Sequence, residues 1–348
     1  MPRSAPSSNM PIRAPFTPSR SWVGAAVLLA GFIVMLRLPH SGSINPYHLQ
    51  ILMYIGINII LTASLNLVNG YMGEFSVGHA GFMAVGAYIS SLVSMRLIPW
   101  EWQGYLFPAA LIAGGLAASL VGLCVAFPSF RTRGDYLAIV TLALNMIVKS
   151  VIENIEAVGG PRGLLGMMRL TSPAWVYVWV VITLAVIRSF VYSGYGRGVL
   201  SIREDEVAAD IVGVDTRRIK LQACLLSSFF AGIAGGLFAH LLQYINPASF
   251  NIVKSTEVLV MVYLGGIGSL TGSVLGATVY TVLLEALRFL GLWRWVVAPL
   301  MLVLLMVLRP TGIMGFRELS FFIPRDERWN RPGKGENVGA AESGRAQP

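Results

Sequence analysis

The stretch HLQILMYIGINIILTASLNLVN, residues 48–69, contains no Asp, Glu, Lys or Arg. About 20 apolar residues in an α-helix cross a hydrocarbon core about 30 Å thick. This stretch therefore has the length and composition of a transmembrane helix. Other apolar runs follow along the chain, at residues 22–36, 75–98, 105–127, 136–152, 174–192, 219–243, 256–290 and 293–309.

The composition of the whole chain agrees with a lipid environment. Of its 348 residues, 55% are hydrophobic and 12% are charged, and the mean hydropathy is +0.67. A water-soluble protein of this size needs more polar side chains to cover its surface. We predict an all-α integral membrane protein, a polytopic bundle of about 8–10 transmembrane helices. The net charge of +9 is concentrated in termini and loops, which indicates anchoring of cytoplasmic loops and argues against nucleic acid as a partner.

The chain divides into three regions. Residues 1–20 contain five Pro, four Ser and three Arg, which predicts a disordered basic N-terminal arm. Residues 21–316 hold the apolar runs and form the predicted transmembrane domain. Residues 317–348 are predicted to be a disordered cytoplasmic tail.

The distribution of Lys and Arg in the loops predicts the orientation. If the basic arm is inside the cell, successive crossings also place Arg131 and Arg133 and the loop 197–220 inside. Arg162 and Arg169 then lie outside, against the rule. This exception is explained if the loop 153–173, which also carries Glu153 and Glu156, packs as structure. The basic tail should also be inside, which requires an even number of crossings.

The run 256–290 contains the glycine-rich stretch GGIGSLTG, residues 265–272. Glycine lowers helix stability and permits a break in the helix. Two crossings joined by a tight turn would restore an even count. A re-entrant or broken element buried in protein is the alternative, because the first arm would be short. The candidate residues here are Gly265, Gly266 and Gly268.

A second glycine-rich segment covers residues 66–88 and includes two ionisable residues. Small residues permit close packing of helices in lipid, whereas ionisable groups at membrane depth indicate a functional path. Both readings stay open, and packing is favoured, with Glu74 and His79 near the membrane edge. The candidate residues are Gly70, Gly73, Glu74, Gly78, His79 and Gly81.

The hydrophilic segment 197–218 predicts a short cytoplasmic helix. Ser201 and Glu204 have the spacing of a capping box, and Gly213 is suited to a C-terminal stop, so the predicted helix covers about 202–212. Its acidic side is atypical of helices that lie on lipid, and a protein partner fits better. Asp215 or Thr216 should cap the next helix. The candidate coupling residues are Ser201, Arg203, Glu204, Asp205, Glu206, Ala208, Asp210 and Gly213.

The sequence contains no recognisable catalytic or nucleotide-binding motif. No G-x-x-x-x-G-K-[ST] stretch and no H-E-x-x-H stretch occurs, so we expect no enzyme, no bound cofactor and no metal site. Cys124 and Cys224 lie in apolar stretches, which argues against a disulfide framework. Glu285 and Arg288 can form an ion pair on one helix face.

Several motifs together resemble the LivM-type permease subunits of bacterial branched-chain amino acid ABC importers. The resemblance covers about residues 50–310 and leaves out both termini. It rests on LNL (65–67), GYMG (70–73), SVGHA (76–80), RTRGDY (131–136), AIVTL (138–142), GGPRG (159–163), REDEVAA (203–209), FAGIAGG (230–236) and LGGIGS (264–269).

The resemblance implies a multi-pass protein of the inner membrane. It implies four kinds of contact, namely a homologous LivH-type permease, two cytoplasmic ATPase subunits that use ATP, a periplasmic amino-acid-binding protein and the lipid bilayer. The helix at 202–212 would then be the coupling segment that docks on an ATPase. Related permeases serve importers of urea and short amides, so the solute stays open.

Two other classes of protein compete with this interpretation. An ion-coupled secondary transporter would need ionisable sites at the bilayer midplane, where the sequence places few. A membrane enzyme would need a nucleophile, a base or a metal cluster. The sequence therefore favours an importer subunit.

Overall fold

The computed structural model describes residues 29–37, 45–129 and 136–293, with residues 296, 297, 300, 303, 312–314 and 318. The predicted arm 1–20 and all of the predicted tail except Glu318 lie outside these residues. The helices are α1 (29–37), α2 (Pro46–Asn66), α3 (His79–Leu92), α4 (Gln103–Ser129), α5 (Tyr136–Asn154), α6 (Pro173–Val191), α7 (Gly194–Glu204), α8 (Glu206–Ile211), α9 (Thr216–Leu242), α10 (Ile252–Gly265) and α11 (Leu270–Ala286).

Within the described residues, seven helical segments are long and apolar enough to cross a membrane. The prediction of an all-α polytopic membrane protein is confirmed. The predicted runs 22–36 and 293–309 lie partly outside the described residues. The seven spans are Pro46–Tyr71, His79–Leu97, Trp100–Phe127, Leu137–Asn154, Pro173–Val191, Thr216–Leu242 and Leu270–Gly291.

The predicted run 256–290 is broken at its glycines. Gly266 and Gly268 have φ of 127° and 72°, a region that side chains with a Cβ rarely adopt. Asn66 of α2 fixes the turn, since its Oδ1 accepts from the Gly268 N–H at 2.9 Å and its Nδ2 donates to the Ser269 carbonyl at 2.9 Å. α10 has 14 residues, about 21 Å of helix. It is therefore too short to cross a bilayer, as expected for the first arm of a broken element.

Contacts between distant parts of the chain define the two ends of the bundle. At one end, the Glu318 carboxylate accepts from Tyr71 and Tyr192 hydroxyls and from the Leu270 N–H. The α7–α8 segment lies there too, so we call it the α8 end. At the opposite end, the Arg288 guanidinium donates to the Tyr47 hydroxyl at 2.6 Å.

The loop between α5 and α6 is packed structure at the opposite end. It contains strand β1 (Leu164–Leu165), which pairs antiparallel with β2 (Tyr244–Ile245) in the connection from α9 to α10. The Tyr244 hydroxyl also donates to the Arg162 carbonyl at 3.1 Å. The prediction that the loop carrying Arg162 and Arg169 is packed structure is thus supported.

Helices α3, α4 and α9 form the most closely packed part of the bundle. Glycines line their contacts, and at Gly235 of α9 an added Cβ would lie 2.0 Å from the Met83 carbonyl oxygen of α3. Because lipid supplies no hydrophobic driving force between helices, such close backbone approach is a main source of stability.

We expect Gly235→Ala to destabilise the bundle by about 1–3 kcal/mol, since the new methyl group must push α3 and α9 apart. Gly104 is the matched control, because an added Cβ there meets nothing within 4 Å. Gly104→Ala should leave stability equal or slightly higher. Thermal unfolding in detergent measures both variants, and equal midpoints would contradict the packing role.

Candidate functional site

The α7–α8 segment contains two capped helices, whereas the sequence predicted a single helix at about 202–212. The Ser193 side chain caps α7 by accepting from the Gly196 N–H at 3.4 Å. Asp205 separates the helices, and its Oδ1 caps α8 by accepting from the N–H groups of Val207 and Ala208 at 2.9 and 3.0 Å. The predicted cap at Ser201 is wrong. Its hydroxyl donates to the carbonyl of Gly198 inside α7, because the chain is already helical there.

The C-terminal side of α8 agrees with the sequence analysis. Gly213 has φ of 91°, the left-handed conformation typical of a residue after a helix. Asp215 is the cap of α9 and accepts from the Arg218 N–H at 3.1 Å. The Thr216 hydroxyl donates to Asp210 Oδ1 at 2.9 Å, which joins α8 to α9. Both ends of α8 are therefore fixed.

α8 presents an exposed apolar surface next to carboxylates. The exposed fractions of Val207, Ile211 and Val212 are 52%, 81% and 83%. Ala208 is exposed as well, whereas Ala209 is buried against the bundle. The Glu204 side chain is 74% exposed. A protruding surface with these properties is typical of a protein contact.

A buried lysine ties α8 to the transmembrane bundle. Lys220, in the first turns of α9, is 5% exposed. Its Nζ lies 2.5 Å from Glu74 Oε1 and 2.8 Å from Glu206 Oε1. Glu206 is the first residue of α8, and Glu74 lies between α2 and α3. Movement of α8 is therefore linked to the segment that connects two membrane spans.

Arg203 makes a second connection between the same segments. Its Nη2 donates to Glu204 Oε1 at 2.9 Å, and its Nη1 lies 3.5 Å from the Gly70 carbonyl oxygen. Gly73 has φ of 79°, and an added Cβ there would lie 2.7 Å from Arg203 Cγ. Glycine is thus required at 73 for both backbone conformation and space.

The structure separates the residues of the second glycine-rich segment. Gly70, Gly73 and Glu74 join the coupling residues at the α8 end. The neighbouring residues pack against other helices: Gly78 against Thr141, Gly81 against Asn145, and His79 with its Nε2 2.8 Å from Ser64 Oγ. The His79 side chain is 2% exposed, so protein encloses it.

The glycines of the break meet this site through Gly70. An added Cβ at Gly70 would lie 2.4 Å from the Gly268 nitrogen, and one at Gly265 would lie 1.9 Å from the Gly272 carbonyl oxygen. Gly266 provides the turn between α10 and α11. The glycine break therefore contacts the segment 70–74, to which Arg203 and Lys220 bind through Gly70 and Glu74.

The roles of Lys220 and Glu318 were missed by the sequence analysis. Glu318 falls in the predicted tail, yet its carboxylate joins Tyr71 and Tyr192, which follow α2 and α6, to the start of α11. A lysine among apolar residues at the start of a membrane helix was the available signal for Lys220. For Glu318, no local pattern indicates which of the distant hydroxyls it will meet.

Comparisons with known proteins place the chain in one family. Residues 47–308 match the family model described as branched-chain amino acid transport system / permease component. The chain is 33% identical over 293 residues to the high-affinity branched-chain amino acid transport system permease protein LivM of Escherichia coli K12, covering 74% of this chain and 68% of that protein. The LivM protein of Salmonella typhimurium LT2 gives the same identity and coverage.

A differently named permease is also similar. The high-affinity branched-chain amino acid transport system permease protein LivH of Escherichia coli K12 is 24% identical over 286 residues, covering 75% of this chain and 92% of that protein. No solved structure matches the chain significantly. With a family model that matches most of its length, the chain belongs to the permease components of branched-chain amino acid transport systems.

Proposed function

We propose that this chain is the transmembrane permease subunit of an ABC importer that moves branched-chain amino acids across the bacterial inner membrane. The observation that carries the proposal is the link between α8 and the bundle. An exposed apolar and acidic helix is suited to receive a cytoplasmic partner. Lys220 of the membrane span α9 connects it to Glu74, in the segment between two further spans. ATP is then bound and hydrolysed by two separate ATPase subunits, and this chain holds no nucleotide.

The other partners follow from the similarity to two permeases. The chain resembles both the LivM and the LivH protein of one organism, which supports pairing with a homologous permease. The opposite end of the bundle would face the periplasm and receive the amino-acid-binding protein. Its packed surface around β1 and β2 is suited to such a contact, since a preformed surface loses little entropy on binding.

The importer reconstituted from all its subunits in proteoliposomes tests this function. With ATP on the α8 side and loaded binding protein on the other, leucine should accumulate. The purified chain alone should neither hydrolyse ATP nor accumulate leucine under a proton or sodium gradient. Gradient-driven uptake by the chain alone would establish a secondary transporter instead. ATP-driven uptake of urea or a short amide without leucine would change the solute.

Cysteine labelling in intact cells tests the orientation. In a Cys124→Ala background, a cysteine at Arg218, whose side chain is 84% exposed at the α8 end, should react with a membrane-impermeant maleimide only after lysis. A cysteine at Phe289, which is 82% exposed and next to Arg288, is the matched control and should react before lysis once the outer membrane is permeabilised. The reverse pattern would invert the orientation.

A further inference from the structure

A polar cavity lies between α2, α10 and α11, away from the site described above. Its volume is about 200 Å³, well below the roughly 300–1,000 Å³ of sites for drug-sized ligands. The cavity therefore suits a small solute. Both charged and aliphatic side chains form its wall, among them Ile51, Asn58, Lys254, Glu257, Met261 and Leu284.

The cavity lies near the middle of the membrane-spanning region. Asn58 is at the centre of the span Pro46–Tyr71, and its Nδ2 donates to Thr281 Oγ1 of α11 at 2.9 Å. The Phe250 ring, just before α10, lies 6.1 Å from the Phe238 ring, which is 6.1 Å from that of Tyr54, one turn from Asn58. α10 therefore starts close to this depth. Transporters commonly bind their substrates near the midplane, at helices that are interrupted there.

Two opposite charges face each other on the wall of this cavity. Lys254 Nζ lies 3.0 Å from Glu257 Oε2, one helical turn along α10, and the two side chains are 20% and 15% exposed. Charged groups at membrane depth are costly and are typical of substrate or ion pathways. The sequence predicts few ionisable residues at the midplane, so this pair is an addition that only the structure shows.

A second cavity extends the first towards the opposite end of the bundle. Its volume is about 300 Å³, and it shares Ile51, Tyr54 and Glu285 with the first. Glu285 forms an ion pair with Arg288 at 3.2 Å. Two acid–base pairs thus follow one another along a crevice from the opposite end to mid-depth.

This arrangement is complementary to an aliphatic amino acid. Such a solute carries an ammonium group and a carboxylate on one carbon, with an apolar side chain. Lys254 can bind the carboxylate and Glu257 the ammonium group, while Ile51, Met261 and Leu284 contact the aliphatic part. A purely structural ion pair would need neither the adjoining cavity nor the apolar wall.

We propose that the cavity between α2, α10 and α11 binds the zwitterionic amino acid during its passage, with Lys254 and Glu257 as the binding pair. This inference rests on the proposed function and adds the site within it. The crevice lined by Glu285 and Arg288 is then the route from the face where the binding protein releases its solute.

Charge-removing variants in the complete reconstituted importer test the pair. Lys254→Met and Glu257→Gln should each lower ATP-driven leucine uptake by about tenfold or more. Recovery of the complex, its affinity for loaded binding protein and stimulated ATP hydrolysis should stay near wild type. Uptake at the wild-type rate in both variants would overturn the site.

Exchanging the two charges separates binding from structure. Lys254→Glu with Glu257→Lys keeps an ion pair but presents the charges in the wrong order, so uptake should stay low. The same exchange at Lys149 and Glu153 of α5, a half-buried pair at 3.7 Å, is the matched control and should transport normally. Full uptake by the exchanged Lys254–Glu257 pair would reduce its role to structure.

If the charge variants fail to assemble, a variant that leaves both charges in place still tests the cavity. Leu284→Trp should fill the cavity and block leucine uptake. Val282→Trp, at a residue of the same helix that is 50% exposed and does not line the cavity, is the matched control and should not block it. Normal uptake by the Leu284→Trp variant would overturn the site. Wild-type leucine uptake is measured first. Its absence would overturn the proposed function and this inference with it, whereas wild-type uptake with unaffected variants would overturn the inference alone.

Discussion

Replacing Lys220 with methionine should abolish ATP-driven uptake by the assembled importer. The substitution keeps the length of the apolar stem and removes the cation that Glu74 and Glu206 share at 2.5 and 2.8 Å. Two carboxylates then lie close together without this cation. Since the Glu74 and Glu206 side chains are 22% and 40% exposed, the cost should stay at or below about 3 kcal/mol. Thermal unfolding and leucine uptake are measured together.

A neutral replacement of the whole triad separates stability from coupling. Lys220→Met combined with Glu74→Gln and Glu206→Gln removes the repulsion, so the unfolding temperature should recover. The tether from α8 to the bundle stays weakened, and uptake should remain low while ATP hydrolysis continues. Full recovery of uptake would show that the triad only stabilises the fold.

Arg218 provides the matched control for Lys220. It also pairs with an acid, Asp215, at 2.8 Å, but its side chain is 84% exposed. Exposed pairs contribute about 0–1 kcal/mol. Arg218→Met should therefore leave the unfolding temperature and leucine uptake close to wild type. A loss of uptake as large as that of Lys220→Met would argue against a special role for Lys220.

Removing the apolar surface of α8 should prevent recovery of the ATPase subunits with the permease. Val207→Ser, Ile211→Ser and Val212→Ser change side chains that are exposed in the free chain, so the fold should keep its stability. If an ATPase buries them, their loss costs about 3–4 kcal/mol together, a weakening of about 100- to 1,000-fold. Co-purification and binding-protein-stimulated ATP hydrolysis measure the effect.

Leu97→Ser is the matched control for the apolar surface, because this residue is 75% exposed and lies towards the opposite end. It should leave ATPase recovery unchanged. Normal recovery with the triple serine variant would remove α8 as the docking element.

The acidic residues of the same segment can be divided by their roles. Asp205 both carries charge and caps α8. Asp205→Asn keeps a capping oxygen and removes the charge, whereas Asp205→Ala also loses the cap, which costs about 0.5–2 kcal/mol. The double variant Glu204→Ala, Asp205→Ala should show a larger loss of ATPase recovery than Asp205→Asn. Equal recovery for the asparagine and alanine variants would assign no part of the effect to the cap.

The membrane class and the helix order could be predicted because they depend on local composition. Any segment that crosses lipid must satisfy its backbone polar groups within itself, so each apolar run indicates a helix on its own. The break near Gly266 was predictable for the same reason, because glycine lowers the stability of a helix at its own position. The exact caps were less predictable. Ser201 and Asp205 are both good caps, and packing of α7 against α9 decided between them.

The sequence by itself determined an all-α membrane protein, the position of the glycine break and an acidic stretch of helix before α9. Only the tertiary structure showed that Lys220 joins α8 to Glu74, that Glu318 joins three distant parts of the chain, and that Lys254 and Glu257 border a cavity. The physical reason is the range of the interactions. Helix formation in lipid depends on neighbouring residues, whereas an ion pair or a cavity wall combines residues that are far apart in the sequence.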